Sequence, residues 1–230
     1  VIACEPSSAM RREATRAGWP PGAALVAGRA EQIPVLAGVA DVVWLSTVVH
    51  HISDRYAWAA ETARVLKRGG WLMIRNQFAE LGTTPWADEL PGATRAQQVF
   101  PRLAELAELL APHGLELVGA VEVTESSRDH SPQAVAAWIR RMRHADSLLL
   151  RFTDEEIDVG LDRLDRYPST HRLGPLKVGL AAFRAATGGS DKPLPGPSGA
   201  YDEPRCRAEA ASPDCVRRLF APRDNKEASF

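Results

Sequence analysis

The chain has 230 residues, 45% of them hydrophobic and 25% charged, the balance of one globular α/β domain with a real core. Lys and Arg number 28 against 29 Asp and Glu, a net charge of −1, which argues against nucleic acid or an anionic membrane as a partner recognised by charge. Cys4, Cys206 and Cys215 match no zinc spacing, no run approaches the ~18 apolar residues of a membrane span, and no signal-peptide pattern is seen, so a cytoplasmic location is expected.

Residues 1–4 form a short apolar run bounded by Glu5-Pro6-Ser7 and read as a buried strand. Ser7 or Ser8 is placed to cap a helix that runs to Ala17 and stops at Gly18 and Pro20-Pro21. Residues 24–27 and 39–45 read as the second and third strands, apolar on both faces as in parallel strands covered by helices. A helix follows on the stripe Ile52, Tyr56, Ala59, Ala63 and Leu66. Ser53 or Asp54 is its cap, Arg64, Lys67 and Arg68 sit near its negative end, and Gly69 or Gly70 is the left-handed residue that ends it. Residues 71–74 are the next strand. Residues 78–95 carry Gly82, Pro85, Pro91 and Gly92 and read as loop with short helical pieces. Val99, Leu103, Leu106 and Leu110 mark a helix stopped by Pro112 and Gly114, and Leu115, Leu117, Val121 and Val123 alternate as a strand. Ser131-Pro132 opens a helix with proline at its first position. Thr153-Asp154-Glu155-Glu156 is a capping box, with Ile157, Leu161 and Leu164 as the stripe behind it. Residues 176–183 alternate as the last strand. From residue 187 glycine, proline and serine punctuate the chain, and 187–230 read as a disordered tail with a helical turn near 214–219. The alternation predicts a three-layer α/β domain over 1–186 with a mostly parallel sheet.

In such sheets ligands bind beyond the carboxyl ends of the strands. Glu5 follows the first strand there, Gly28-Arg29-Ala30-Glu31 the second, Ser46, Thr47, His50 and His51 the third, and Asn76 and Gln77 the fourth. Glu5 suits two roles: accepting from a ribose diol, or stabilising the start of the helix near Ser7. The adjacent histidines read as a catalytic base titrating near neutral pH, or as polar residues that shape a pocket rim and fix the turn. No cluster of Cys or carboxylates backs them, so no metal is expected. The basic run Arg140-Arg141-Met142-Arg143 reads as a solvated helix face.

Five stretches in this order carry a resemblance: Glu5-Pro6-Ser7 with Met10, Gly28-Arg29-Ala30-Glu31-Gln32-Ile33-Pro34, Ala40-Asp41-Val42-Val43, His50-His51-Ile52, and Arg64-Val65-Leu66-Lys67-Arg68-Gly69-Gly70. Together they resemble the class I S-adenosylmethionine-dependent methyltransferases, in the small-molecule branch with a single Rossmann-like domain. The resemblance covers residues 1–77 closely and 78–185 in layout. It implies a seven-stranded, mostly parallel sheet with an antiparallel last strand, and methyl transfer from S-adenosyl-L-methionine to a small-molecule acceptor. It also implies site roles. Glu5 would hold the ribose hydroxyls, and Pro6, Ser7 and Met10 would line the adenosine side. Ala30 and Glu31 would border the adenine, with Ile33 packed on the ring. Ser46 and Thr47 would lie under the methionine part, and His50 and His51 at the pocket rim, either of them a candidate base. Residues 78–185 would supply the acceptor pocket, with Trp86, Phe100, Trp138 and Phe152 as its wall or as ordinary core aromatics. In the family a strand, a glycine-rich turn and a helix precede the acidic strand. Here nothing does, so truncation before or through that turn is expected. A non-catalytic methyltransferase-like module that binds a partner is the alternative. A nicotinamide-dependent oxidoreductase ranks last, because Tyr56 and Tyr167 have no lysine four residues on.

Overall fold

The computed structural model describes residues 1–125 and 129–187. The expected tail from residue 188 onward, with Cys206, Cys215 and the turn near 214–219, lies outside the described residues. In chain order the elements are β1 (Ile2–Cys4), α1 (Ser8–Ala17), β2 (Ala24–Val26), β3 (Ala40–Ser46), α2 (Arg55–Val65), β4 (Leu66–Asn76), β5 (Gly82–Thr83), α3 (Ala93–Gln97), α4 (Leu103–Leu110), β6 (Leu115–Thr124), α5 (Pro132–Met142), α6 (Asp154–Arg166) and β7 (Lys177–Ala185). A 3-10 turn at Val49–His51 separates β3 from α2.

The helix starts follow from their caps. The Ser7 hydroxyl accepts from the Met10 N–H at 3.3 Å, and the Asp54 carboxylate accepts from the Ala57 N–H at 2.9 Å. Ser131 caps α5, with Pro132 in its first turn. The Thr153 hydroxyl accepts from the Glu156 N–H while the Glu156 carboxylate accepts from the Thr153 N–H, the reciprocal pair read from the sequence. Helix α2 departs from expectation at both its stripe and its end. It buries Trp58, Ala59, Thr62 and Val65, whereas Tyr56 is exposed. It stops at Val65, and Gly69 and Gly70 do not cap it. Ala40 pairs with Leu66 and Val42 with Trp71, so Lys67 to Gly70 bulge from β4. Gly69 takes φ +69 there, and a side chain at Gly70 would meet the Lys67 and Asp41 carbonyls at 2.9 and 3.1 Å.

The strands form two sheets. β1 and β2 pair with each other in parallel. The second sheet runs β3–β4–β7, with β5 and β6 both paired to β7. β3 and β4 are parallel, and β7 is antiparallel to β4, β5 and β6. Every strand of this sheet but the last therefore points the same way, as the expected fold class requires. Among the described residues no pairing joins β1 or β2 to the sheet that begins at β3.

One face of the larger sheet holds the main core. Leu45, Leu72, Ile74, Ala181 and Phe183 pack there against Trp58 and Ala59 of α2 and Leu106 and Leu110 of α4. The other face differs from the expectation that the strands are covered on both sides: Val42 is 50% and Trp44 52% exposed on β3. Helix α1 buries none of its side chains. A second core lies among α3, α5 and α6 and holds Ala136, Ile139, Leu149, Phe152, Ile157 and Leu164. No helix among the described residues is long and apolar enough to cross a membrane.

Candidate functional site

The residues singled out in the sequence fall at the carboxyl ends of β1, β2 and β3, as expected for this architecture. At the end of β1 the Glu5 carboxylate accepts from the Ser7 N–H at 2.7 Å, and the Arg11 guanidinium donates to the Glu5 and Pro6 carbonyls at 2.7 and 2.9 Å. Glu5 and Ser7 are half-buried, while Pro6 and Met10 are exposed. One carboxylate oxygen thus serves the helix start.

Beyond β2, Ala30 packs on the main core. Glu31 accepts from the Ser53 hydroxyl at 3.2 Å and faces Arg29 at 3.6 Å. Burial works against its charge, but hydrogen bonds from its own and the Asp54 backbone, from Ser53, and the nearby Arg29 outweigh it and hold the carboxyl below its ordinary value. The Ile33 N–H donates to Glu61 at 2.8 Å, and Arg64, paired with Glu61, donates to the Ile33 and Val35 carbonyls. This loop is therefore pinned to α2. It also touches β1, since a side chain at Gly28 would meet Cys4 Sγ and Pro34 Cδ, both at 2.6 Å; only glycine fits.

Beyond β3, Ser46 and Thr47 are exposed, and Thr47 takes φ +56, which is uncommon for a residue with a side chain. The Thr47 N–H donates to the Arg75 carbonyl at 2.7 Å. The Arg75 guanidinium donates to Ser46 Oγ at 3.3 Å and Thr47 Oγ1 at 3.1 Å, and pairs with Glu125 at 2.9 Å. Arg75 was not singled out in the sequence. An arginine one residue from the end of a strand carries no motif.

The two histidines separate in environment. His51 is exposed, and its ring centroid lies 4.1 Å from that of the half-buried His50. His50 Nε2 meets Ser147 Oγ at 2.9 Å, and Phe100 packs edge-on at 6.0 Å. Burial, and then the neighbouring His51, push the His50 pKa down to about 4; Asn76 and Asp146 oppose this and Arg151 adds to it. His50 is thus a neutral imidazole at pH 7. Its Nδ1 is buried without a partner. The same is true of Oδ1 of Asn76, which is 0% exposed and whose Nδ2 donates to the Gln77 carbonyl at 2.6 Å. Ser147 lies 97 positions from His50, so no local pattern could have announced it.

The aromatic residues considered for a pocket wall divide. Trp86 and Trp138 pack edge to face at 5.0 Å beside the second core, and Phe152 is buried within it. Phe100 lines a cavity of about 270 Å³ beyond β4. In the basic run of α5, Arg140 and Arg141 are exposed and Arg140 pairs with Asp165, whereas Met142 and Arg143 are half-buried and Arg143 pairs with Asp154 and Asp158.

Comparison with known proteins agrees with this geometry. Residues 1–74 match the family model described as a methyltransferase domain. No protein of curated function matches the chain. Among solved structures, one assigned as a methyltransferase from an antibiotic biosynthesis pathway of Anabaena variabilis superposes with a TM-score of 0.61 at 19% identity, covering 79% of this chain and 80% of that one. One assigned as a methyltransferase of Bacillus halodurans gives 0.52 at 16%, covering 81% and 83%. The cyclase SpnF gives 0.50 at 17%, covering 81% and 66%. The chain has the fold of the class I, Rossmann-like methyltransferases, and its first 74 residues carry the methyltransferase-domain pattern.

Proposed function

We propose that this protein transfers a methyl group from S-adenosyl-L-methionine to a small-molecule acceptor. The observation that carries the reading is the gathering of Glu5, Glu31, Ser46, Thr47 and His50 beyond the strand ends of a methyltransferase fold. The residues present fit the cofactor's nucleoside half. Glu5 spends one carboxylate oxygen on Ser7 and keeps the other for a ribose hydroxyl. Glu31 is ionised and can accept from an exocyclic amine. Pro6, Ser7 and Met10 would line the adenosine, Ala30 and Ile33 would border the base, and Ser46 and Thr47, steadied by Arg75, would lie under the amino-acid end. His51 would stand at the rim.

When bound, the cofactor supplies an electrophilic methyl carbon. The protein must position the acceptor and take the proton that its O–H or N–H gives up. His50 suits the second task. Pairing Nδ1–H with Asn76 Oδ1 would satisfy both buried atoms and leave Nε2 as the basic nitrogen, the atom that already meets the Ser147 hydroxyl.

The interruption between β1 and β3 belongs to the same reading. We infer that a strand fills it in the complete enzyme, together with a glycine-rich turn against the methionine part. The test is calorimetric titration of S-adenosylhomocysteine into residues 1–230 and into a version extended upstream. Binding by the extended form, weakened by Glu5→Ala by about 1–3 kcal/mol, the scale of hydrogen bonds to a charged group, is expected. Binding by neither form overturns the reading. That outcome favours the second one, a non-catalytic methyltransferase-like module that binds a partner, which the interrupted sheet by itself also supports.

A further inference from the structure

The cavity beyond β4 has a distinctive lining. Gln77, Gln97 and Gln98 line it, from the end of β4 and from around α3. Thr84, Thr94 and Asp88 line it as well, residue types that carry two hydroxyls and one carboxylate. Phe78 and Phe100 supply ring surface. Among the described residues no arginine, lysine or histidine lines it. Gln77 Nε2 donates to Thr84 Oγ1, a bond that uses neither the Thr84 hydroxyl proton nor the side-chain oxygen Oε1 of Gln77.

This set of groups selects by chemistry. A hydroxyl both donates and accepts, and so does a carboxamide, in a fixed plane. A carboxylate accepts from two hydroxyls at once. Aromatic carbon covers the C–H face of a saturated ring and supplies the apolar contact that such a ligand needs. With no cation in the lining, burying a phosphate or carboxylate here costs desolvation with nothing to offset it. A volume of about 270 Å³ sits at the lower edge of the ~300–1,000 Å³ typical of ligand pockets, the size of a single six-membered ring with its substituents.

We propose that this cavity is the acceptor site and that the acceptor is an uncharged, hydroxyl-rich ring of the monosaccharide class, methylated on oxygen. The proposal rests on the methyl-transfer reading above. The cavity adjoins the proton acceptor at two points: Phe100 lines it and packs edge-on against His50, and Gln77 lines it while its carbonyl holds Asn76. The reacting hydroxyl takes the place of Ser147 Oγ at His50 Nε2. Its oxygen forms the new bond to the methyl carbon, the carbon–sulfur bond breaks with its electron pair passing to sulfur, and the hydroxyl proton goes to Nε2. The imidazolium then releases that proton to water, to which its depressed affinity inclines it.

The test is saturation-transfer NMR on the full chain with methyl glycosides of glucose, galactose, mannose and rhamnose, and with glucose 6-phosphate as the anionic probe. Titration of S-adenosylhomocysteine is run beside it on the extended form. At least one neutral glycoside is expected to receive saturation, several-fold less in Gln97→Ala and none in Thr94→Trp, which fills the cavity from an exposed position. Glucose 6-phosphate is expected to receive none. Saturation of no glycoside, saturation that survives Thr94→Trp, or equal saturation of the phosphate ester overturns the proposal. Its failure is separable from that of the methyl-transfer reading. Cofactor-product binding without sugar binding removes the cavity assignment alone, and sugar binding without cofactor-product binding removes the methyl transfer and leaves a sugar site.

Discussion

His50 is the residue at which burial and chemistry meet. Unfolded, its imidazole titrates near 6.5; folded, burial and His51 bring it down to about 4. The unfolded chain therefore takes up the proton first as the pH drops. The contribution to stability is full above pH 6.5, declines between 6.5 and 4, and is lost once the folded form also protonates. His51, Asp146 and Arg151 bear on the ring, with Asn76 beside it, so the titration belongs to the group. Because solvent still reaches part of the ring, roughly 1 kcal/mol between pH 7.5 and 5 is the expected loss. The urea midpoint measured at both pH values should fall less in His50→Phe than in the parent, and an equal fall in both would assign the titration elsewhere. Under the proposed methyl transfer, His50→Gln in the form extended upstream should lower kcat by ~10²–10⁴, the usual contribution of a positioned base, while the affinity for S-adenosylhomocysteine stays unchanged. A loss of that affinity instead would make His50 a cofactor residue. Part of this was legible in the sequence. A His-His pair after an apolar strand marks a strand-end position, but nothing in it says which ring is buried. That depends on Phe100, Asn76 and Ser147, which only tertiary folding brings to His50.

At the scale of elements, caps were more legible than ends. Ser7, Asp54, Ser131 and Thr153 act through hydrogen bonds within three residues, so a short window of sequence contains the whole cause. The end of α2 is different. Gly69-Gly70 looks like a helix stop, yet strand pairing of Leu66 with Ala40 claims the chain four residues earlier, and a ladder partner distant in sequence is invisible to local pattern. The same distinction predicts the behaviour of Gly160 inside α6. Alanine there gains about 1 kcal/mol of helix propensity. Its Cβ, however, would stand 2.7 Å from Leu90 Cγ and 3.3 Å from Leu90 Cα. Leu90 is buried, and backbone cannot swing aside as a side-chain tip can. Overpacking of this kind costs about 1–3 kcal/mol. Gly160→Ala should therefore lower stability by up to ~2 kcal/mol in urea unfolding, whereas an exposed glycine with ordinary φ would gain from the same change. An increase in the midpoint would show that the second core yields where Leu90 sits.

On the scale of the whole molecule, the strands of the described residues form two sheets instead of one. Among the described residues β1 pairs only with β2, and β3 only with β4, so within them each presents a row of unpaired N–H and C=O groups. Ile2 on β1 and Val42 and Trp44 on β3 are exposed, and α1 buries nothing. The strand proposed above between β1 and β3, followed by a helix over Val42 and Trp44, would cover both the unpaired edges and the exposed apolar side chains. The loops beyond β1, β2 and β3 are already tied together by Gly28 against Cys4 and by Ser53 to Glu31, so the two sheets are held in place for such an insertion. Hydrogen exchange distinguishes this from a partner covering one edge. In residues 1–230 the amides of Ile2–Cys4 and Ala40–Ser46 that point away from their paired strands should exchange at rates close to those of open chain. In the chain extended upstream, both sets should gain protection together, because a single inserted strand closes both edges in one cooperative unit. Trp44 fluorescence should shift to shorter wavelength in the same form as the indole leaves water. Protection of β3 alone would mean that the cover docks on one edge and the sheets stay separate, and no change in either would remove the inserted strand.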